Sequence, residues 1–143
     1  MKVYLQRPGV AHDQLLGRVE DNGRVYRTHL GPDDEIGHVH LNSGKVYAQR
    51  LGNDEYVGRV DIDNGKIWRD VAAGPDEYLG RVHEDGRMDH HLAGRADEYI
   101  GRIAGDAPLA HAGAAFLLLV WPAYAKEQQT QRILNTQGGS HAG

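Results

Sequence analysis

One short pattern recurs five times along this chain, and it leaves few folds open. The segments read LLGRV (15–19), EIGHV (35–39), YVGRV (56–60), YLGRV (78–82) and YIGRI (99–103). Their glycines, Gly17, Gly37, Gly58, Gly80 and Gly101, are spaced 20, 21, 22 and 21 residues apart. Four of the segments lead through DNG, NSG, DNG or EDG into a second element: RVY (24–26), KVY (45–47), KIW (66–68) and RMD (87–89). Asn-Gly and Asp-Gly accept the positive φ of tight turns, so each unit reads as a β-hairpin. Glycine, at 19 of 143 residues, is abundant in keeping with so many turns.

A two-residue Asn22-Gly23 turn would set Val19 opposite Tyr26. Counted the same way, Val39 faces Tyr47, Val60 faces Trp68 and Val82 faces Asp89, with the extra residue of the 42–44 turn absorbed in the loop. An aspartate stands four residues before each repeated glycine: Asp13, Asp33, Asp54, Asp76 and Asp97. Both faces of the first element carry apolar columns, at Leu16-type and Val19-type positions. The pattern alone therefore leaves open which face points inward.

The ends are permuted. KVYLQRPGVAHDQLLG (2–17) aligns with KVYAQRLGNDEYVG (45–58) if two residues are inserted. The chain thus opens on a second-type strand and finishes its repeats on a first-type strand, 99–104. Pairing 2–6 with 99–104 would close a ring of ten strands and remove the exposed edges of an open array.

Residues 107–125, APLAHAGAAFLLLVWPAYA, contain no Asp, Glu, Lys or Arg. Asp106 reads as an N-cap, and Pro108 is tolerated in a first turn. The apolar side chains run all round this helix, so it is buried on every side. A bilayer could bury it, since 19 residues rise about 28 Å. The ring could also do so: ten tilted strands enclose a cylinder roughly 15–20 Å across, against about 10–12 Å for a helix. Glycines on the strands would supply the room. His111, Gly113 and the two prolines favour the ring, with Leu117 and Leu118 in its core. Pro122 is expected to kink or end the buried part. The expectation is one domain over 1–135, its last ten residues a solvated helix, followed by a disordered tail at 136–143.

With hairpins, closing strand and apolar helix in hand, the chain resembles the β-flower proteins. These are bacterial repeat proteins whose units carry I/V-G-R-V…D/N-G-R/K-V/I-Y. The pattern stands here as LGRVEDNGRVY (16–26), IGHVHLNSGKVY (36–47) and VGRVDIDNGKIW (57–68), with a weaker copy at 79–89. The resemblance covers roughly 2–104. It implies a shallow symmetric barrel of hairpin petals, five by count. Some members are similar in layout to the tubby C-terminal domain, a barrel around an apolar helix. The likeness implies a fold and no activity.

Directly after each repeated glycine come Arg18, His38, Arg59, Arg81 and Arg102. Together they could form an anion or lipid-headgroup belt, since guanidinium reads phosphate bidentately. The structural alternative pairs each Arg with one of the five aspartates, of its own or a neighbouring repeat. Two residues on, the same face carries His40 and His83, which with His38 make the candidate transition-metal set. The Tyr and Trp columns suggest either ligand stacking or cross-strand packing. The chain lacks cysteine, a phosphate-binding loop and a dinucleotide fingerprint, and its serines are Ser43 in a turn and Ser140 in the tail. Enzymatic activity is not expected, nor is a cofactor. A net charge of −4 carries no nucleic-acid footprint. MKVYLQRPGV lacks the apolar run of a signal peptide. The reading is a cytoplasmic, monomeric structural or binding module, with membrane association through the 107–125 helix as the alternative.

Overall fold

The computed structural model describes the backbone of residues 1–6 and 13–141 and the side chains of 1–6 and 13–135. The two-residue insertion expected between 2 and 17 lies outside the described residues. Ten strands follow one another: β1 (Lys2–Leu5), β2 (Gln14–Val19), β3 (Arg24–Arg27), β4 (Asp34–Val39), β5 (Lys45–Ala48), β6 (Glu55–Val60), β7 (Lys66–Arg69), β8 (Glu77–Val82), β9 (Arg87–His90) and β10 (Glu98–Ile103). Each pairs antiparallel with its chain neighbour, and β1 pairs with β10, so the sheet closes into a barrel. Val3 lies opposite Ile103, Tyr4 opposite Arg102 and Leu5 opposite Gly101. The Ala104 N–H donates to the Lys2 carbonyl at 2.8 Å. The hairpin split between the chain's two ends is therefore formed, and no edge is left bare.

The hairpin register differs from the expected one by a residue. Val19 faces Val25, Val39 faces Val46, Val60 faces Ile67 and Val82 faces Met88. The cause lies in the loops. Glu20 and Arg24 remain in the ladder, so Asp21, Asn22 and Gly23 make a three-residue loop rather than a two-residue turn. Gly23 supplies its left-handed position at φ 89°. The apolar pairs consequently meet inside the barrel, and the Arg and aromatic columns meet outside it.

A second irregularity recurs where each short strand meets the following long one. The register shifts between Val3 and Tyr4, Val25 and Tyr26, Val46 and Tyr47, and Ile67 and Trp68, with a matching shift in the β9–β10 pair. Each shift is a bulge that adds the residue before the glycine to the long strand and increases the local bend. The glycines then face inward with cross-strand backbone pressed against them. A Cβ at Gly17 would overlap the Tyr26 carbonyl oxygen, and one at Gly37 would overlap Tyr47 O and the Leu118 side chain. Glycine here permits close backbone approach, with room for the helix as a second consequence.

After β10 the chain forms α1 (Leu109–Ala115), a π-helical turn (Phe116–Val120) and α2 (Trp121–His141). Ala110 to Val120 are buried, and this stretch packs on β1, β2, β4, β6, β7, β8 and β10, strands all round the barrel. The apolar helix thus fills the barrel. At Gly113 it lies close against the wall, where a Cβ would overlap Val60. His111, 6% exposed, bonds through Nε2 to the Asp21 carbonyl at 2.8 Å, tying the helix to the first hairpin loop.

Two helix details depart from expectation, and the end of the buried part at Pro122 agrees with it. Pro108, not Asp106, precedes the first helical residue, and no side chain caps it. Pro122 neither breaks nor ends the helix. Proline lacks an N–H and crowds the carbonyl four residues back, and the widened turn ahead of it relieves that conflict. Trp121 N–H bonds Phe116 O, five residues back. Burial does end here, since Trp121 is half-buried and Pro122 exposed. Finally, the helix runs to His141 rather than giving way to a disordered tail at 136. No proline follows Pro122 to interrupt the backbone ladder sterically. Residues 142–143 lie outside the described residues.

Two outcomes test this packing. Gly113→Ala should lower stability by about 1–3 kcal/mol in urea unfolding, as expected for overpacking a tight contact. Deleting residues 1–6 removes β1 and reopens the barrel, so the melting temperature should fall; an unchanged melt would contradict closure.

Candidate functional site

Alternation along the long strands sends the glycine and the valine inward and the intervening Arg or His outward. Across four of the five hairpins that outward residue meets an aromatic ring: Arg18 opposite Tyr26, His38 opposite Tyr47, Arg59 opposite Trp68 and Arg102 opposite Tyr4. The guanidinium carbons of Arg18, Arg59 and Arg102 stand 4.3, 4.9 and 4.1 Å from the ring centroids. Such cation–π contacts contribute about 0.5–1 kcal/mol each when exposed. His38 stacks on Tyr47 with centroids 5.4 Å apart.

The same side chains reach an aspartate of the next unit. Arg18 pairs with Asp33, His38 Nδ1 lies 3.6 Å from Asp54, Arg59 lies 3.8 Å from Asp76, and Arg102 lies 3.1 Å from Asp13. The last pair joins the end of the repeats to their beginning. Arg81 differs. It faces Asp89 rather than an aromatic ring, and its Nε donates to Asn64 O at 2.9 Å. Asp97 is within 3.2 Å of His91 instead. All these pairs are half-exposed, where an ion pair contributes about 1 kcal/mol or less.

The five belt residues do not converge. They sit on alternate strands round the barrel, so consecutive members are about 10 Å apart at the backbone. Arg18, His38, Arg59 and Arg102 each link their hairpin to an aspartate of the next. The proposed metal set is also dispersed. His38 and His40 are neighbours at and just after the end of β4, while His83 follows β8, with three strands between. His83 Nε2 is bonded to Asp89 at 2.7 Å. No group of three or more His, Asp or Glu among the described residues is placed to hold a metal ion.

The aromatic columns continue onto the long strands. Tyr56 lies against Tyr47 and Tyr78 against Trp68, with centroids 5.9 and 5.2 Å apart. The Tyr56 hydroxyl donates to Asp76 at 2.9 Å. Burial and that carboxylate push its pKa up to about 12. A further aromatic group sits where the helix leaves the barrel. His90, Trp121 and Tyr124 contact one another, and the Tyr124 hydroxyl donates to Glu98 at 2.7 Å. Burial and Glu98 raise its pKa to about 12 as well. Sequence reasoning missed this group, because its members lie on strands and helix far apart in the chain. Surface depressions of about 200 and 380 Å³ occur at the two ends of the barrel, the first beside Arg69, Leu117 and Trp121, the second beside Asn64, Arg81, His83 and Leu109.

No protein-family model, no curated protein and no solved structure matches this chain.

The raised tyrosines make an alkaline prediction. The folded state prefers both neutral phenols, so their contribution is complete below pH ~10, the ordinary tyrosine value. It should be lost as the pH climbs toward 12. Urea melts across that interval should show stability falling, with a shallower fall in Tyr56→Phe and Tyr124→Phe. Equal slopes in wild type and variants would contradict it.

Proposed function

We propose that this chain is a non-enzymatic structural or binding module that works through its outer surface. One observation carries the reading: the barrel interior is occupied by the chain's own helix, with Phe116 at 0% exposure and Leu118 at 7%. A filled barrel offers a partner only its wall, its loops and the projecting α2. The recurring register supports a further reading of the hairpins as five copies of one unit, as in the β-flower proteins. The proposal includes a cytoplasmic monomer that needs no cofactor and does not bind nucleic acid.

Membrane association has one observation in its favour. The helix over Leu109–Asn135 is long and apolar enough to cross a bilayer. Its apolar half, however, is the part packed in the barrel, and insertion would empty the core. Leu118→Asp distinguishes the two readings. A carboxylate placed among the buried side chains without a partner costs several kcal/mol, so the whole chain should unfold if the helix is the core. Under the membrane reading the barrel would keep its melt, and only flotation with liposomes would fail. For the wild type, light scattering without detergent should give one chain per particle and no flotation.

A further inference from the structure

We propose that His38 and His40 form a surface chelate for a divalent transition metal ion such as Cu²⁺, Ni²⁺ or Zn²⁺. The inference goes beyond the outer-surface module and does not depend on it. It starts from the columns of the repeat. The position after the glycine holds Arg on four long strands and His only on β4. Two residues further on stand Glu20, His40, Asp61, His83 and Ala104. Only the β4 unit has imidazoles in both columns. The fold does not require them, because Arg at the first column makes the same ring contact and the same reach to the next aspartate in Arg18, Arg59 and Arg102.

The placement brings the two imidazoles together on one face. Residues two apart on an extended strand share a face. The His38 and His40 rings lie 5.4 Å apart, centroid to centroid. Tyr47 packs against both, at 5.4 and 4.8 Å, so the rings rest on a common support rather than swinging free. The Asp54 carboxylate is 3.6 Å from His38 Nδ1. A carboxylate there gives the ring an ion-pair neighbour on its Nδ1 side and leaves Nε2 to meet a metal. It also places negative charge beside the incoming cation. Imidazole donors suit Cu²⁺, Ni²⁺ and Zn²⁺ and not Ca²⁺ or Mg²⁺. With two protein donors, water fills the remaining positions. His83, in the same column as His40, has Arg81 in place of a second imidazole and is bonded to Asp89.

The test is a titration of the full chain with ZnCl₂, followed by the histidine ring resonances in NMR. His38 and His40 should shift together and saturate at one equivalent. Cu²⁺ should bind more tightly than Zn²⁺, and Mg²⁺ should give no response. His40→Asn should weaken binding about tenfold or more. His38→Arg, which installs the residue found in the other four units, should abolish binding while keeping the melting temperature. Absence of saturable binding, a response confined to other histidines, or Zn²⁺ affinity unchanged in both variants would overturn the proposal.

Discussion

The packing of one apolar helix against a closed sheet is the contact on which everything else rests. A ten-stranded ring of four- and six-residue strands has too little inward side chain to fill itself, since much of its inner wall is glycine and valine. The helix from Ala110 to Val120 supplies the missing volume, and the ring supplies the burial that an all-round apolar helix needs. Neither part has a hydrophobic core without the other.

That dependence explains the details of both partners. The bulge before each inward glycine bends the long strand and brings cross-strand carbonyls where a Cβ would stand. Gly113 lets the helix approach Val60, and the π-helical turn carries the chain past Pro122 without losing the helical path. His111 is a polar residue in an otherwise apolar stretch, and its bond to the Asp21 carbonyl gives it a structural purpose there. Once the inside is filled, the outward columns are left to hold neighbouring hairpins together. They do so with guanidinium over ring and guanidinium to carboxylate, and departures from that scheme mark the two unusual units. In the β4 unit His replaces Arg, and in the β8–β9 unit Asp89 replaces the ring and Arg81 turns to a backbone carbonyl.

Much of this was legible in the residues. The spacing of the five glycines predicted the hairpins, and the displaced KVY at the start predicted closure of β1 on β10. The all-round apolar character of 107–125 predicted a buried helix. The candidate site was less legible. Of the Arg–Asp pairings offered as one alternative, Arg18, Arg59 and Arg102 meet an aspartate and Arg81 bonds Asn64 O instead, and the cross-strand partners were read one position out. A DNG sequence fits both a two-residue turn and a three-residue loop ending in left-handed glycine. A single residue of register exchanges Val for Arg opposite Tyr26.

What the sequence determined by itself is periodic: strand count, ring closure, the identity of the core helix and the alternation of its wall. These follow from local chain geometry, in which a residue's face depends only on its distance along the strand. What the tertiary structure decided is relational. Which face turned inward, which ring lay under which arginine, and which histidines became neighbours depended on loop length and bulges, and so on contacts between residues far apart in the chain. Arg102 and Asp13 are 89 positions apart, and only the closed barrel brings them to 3.1 Å.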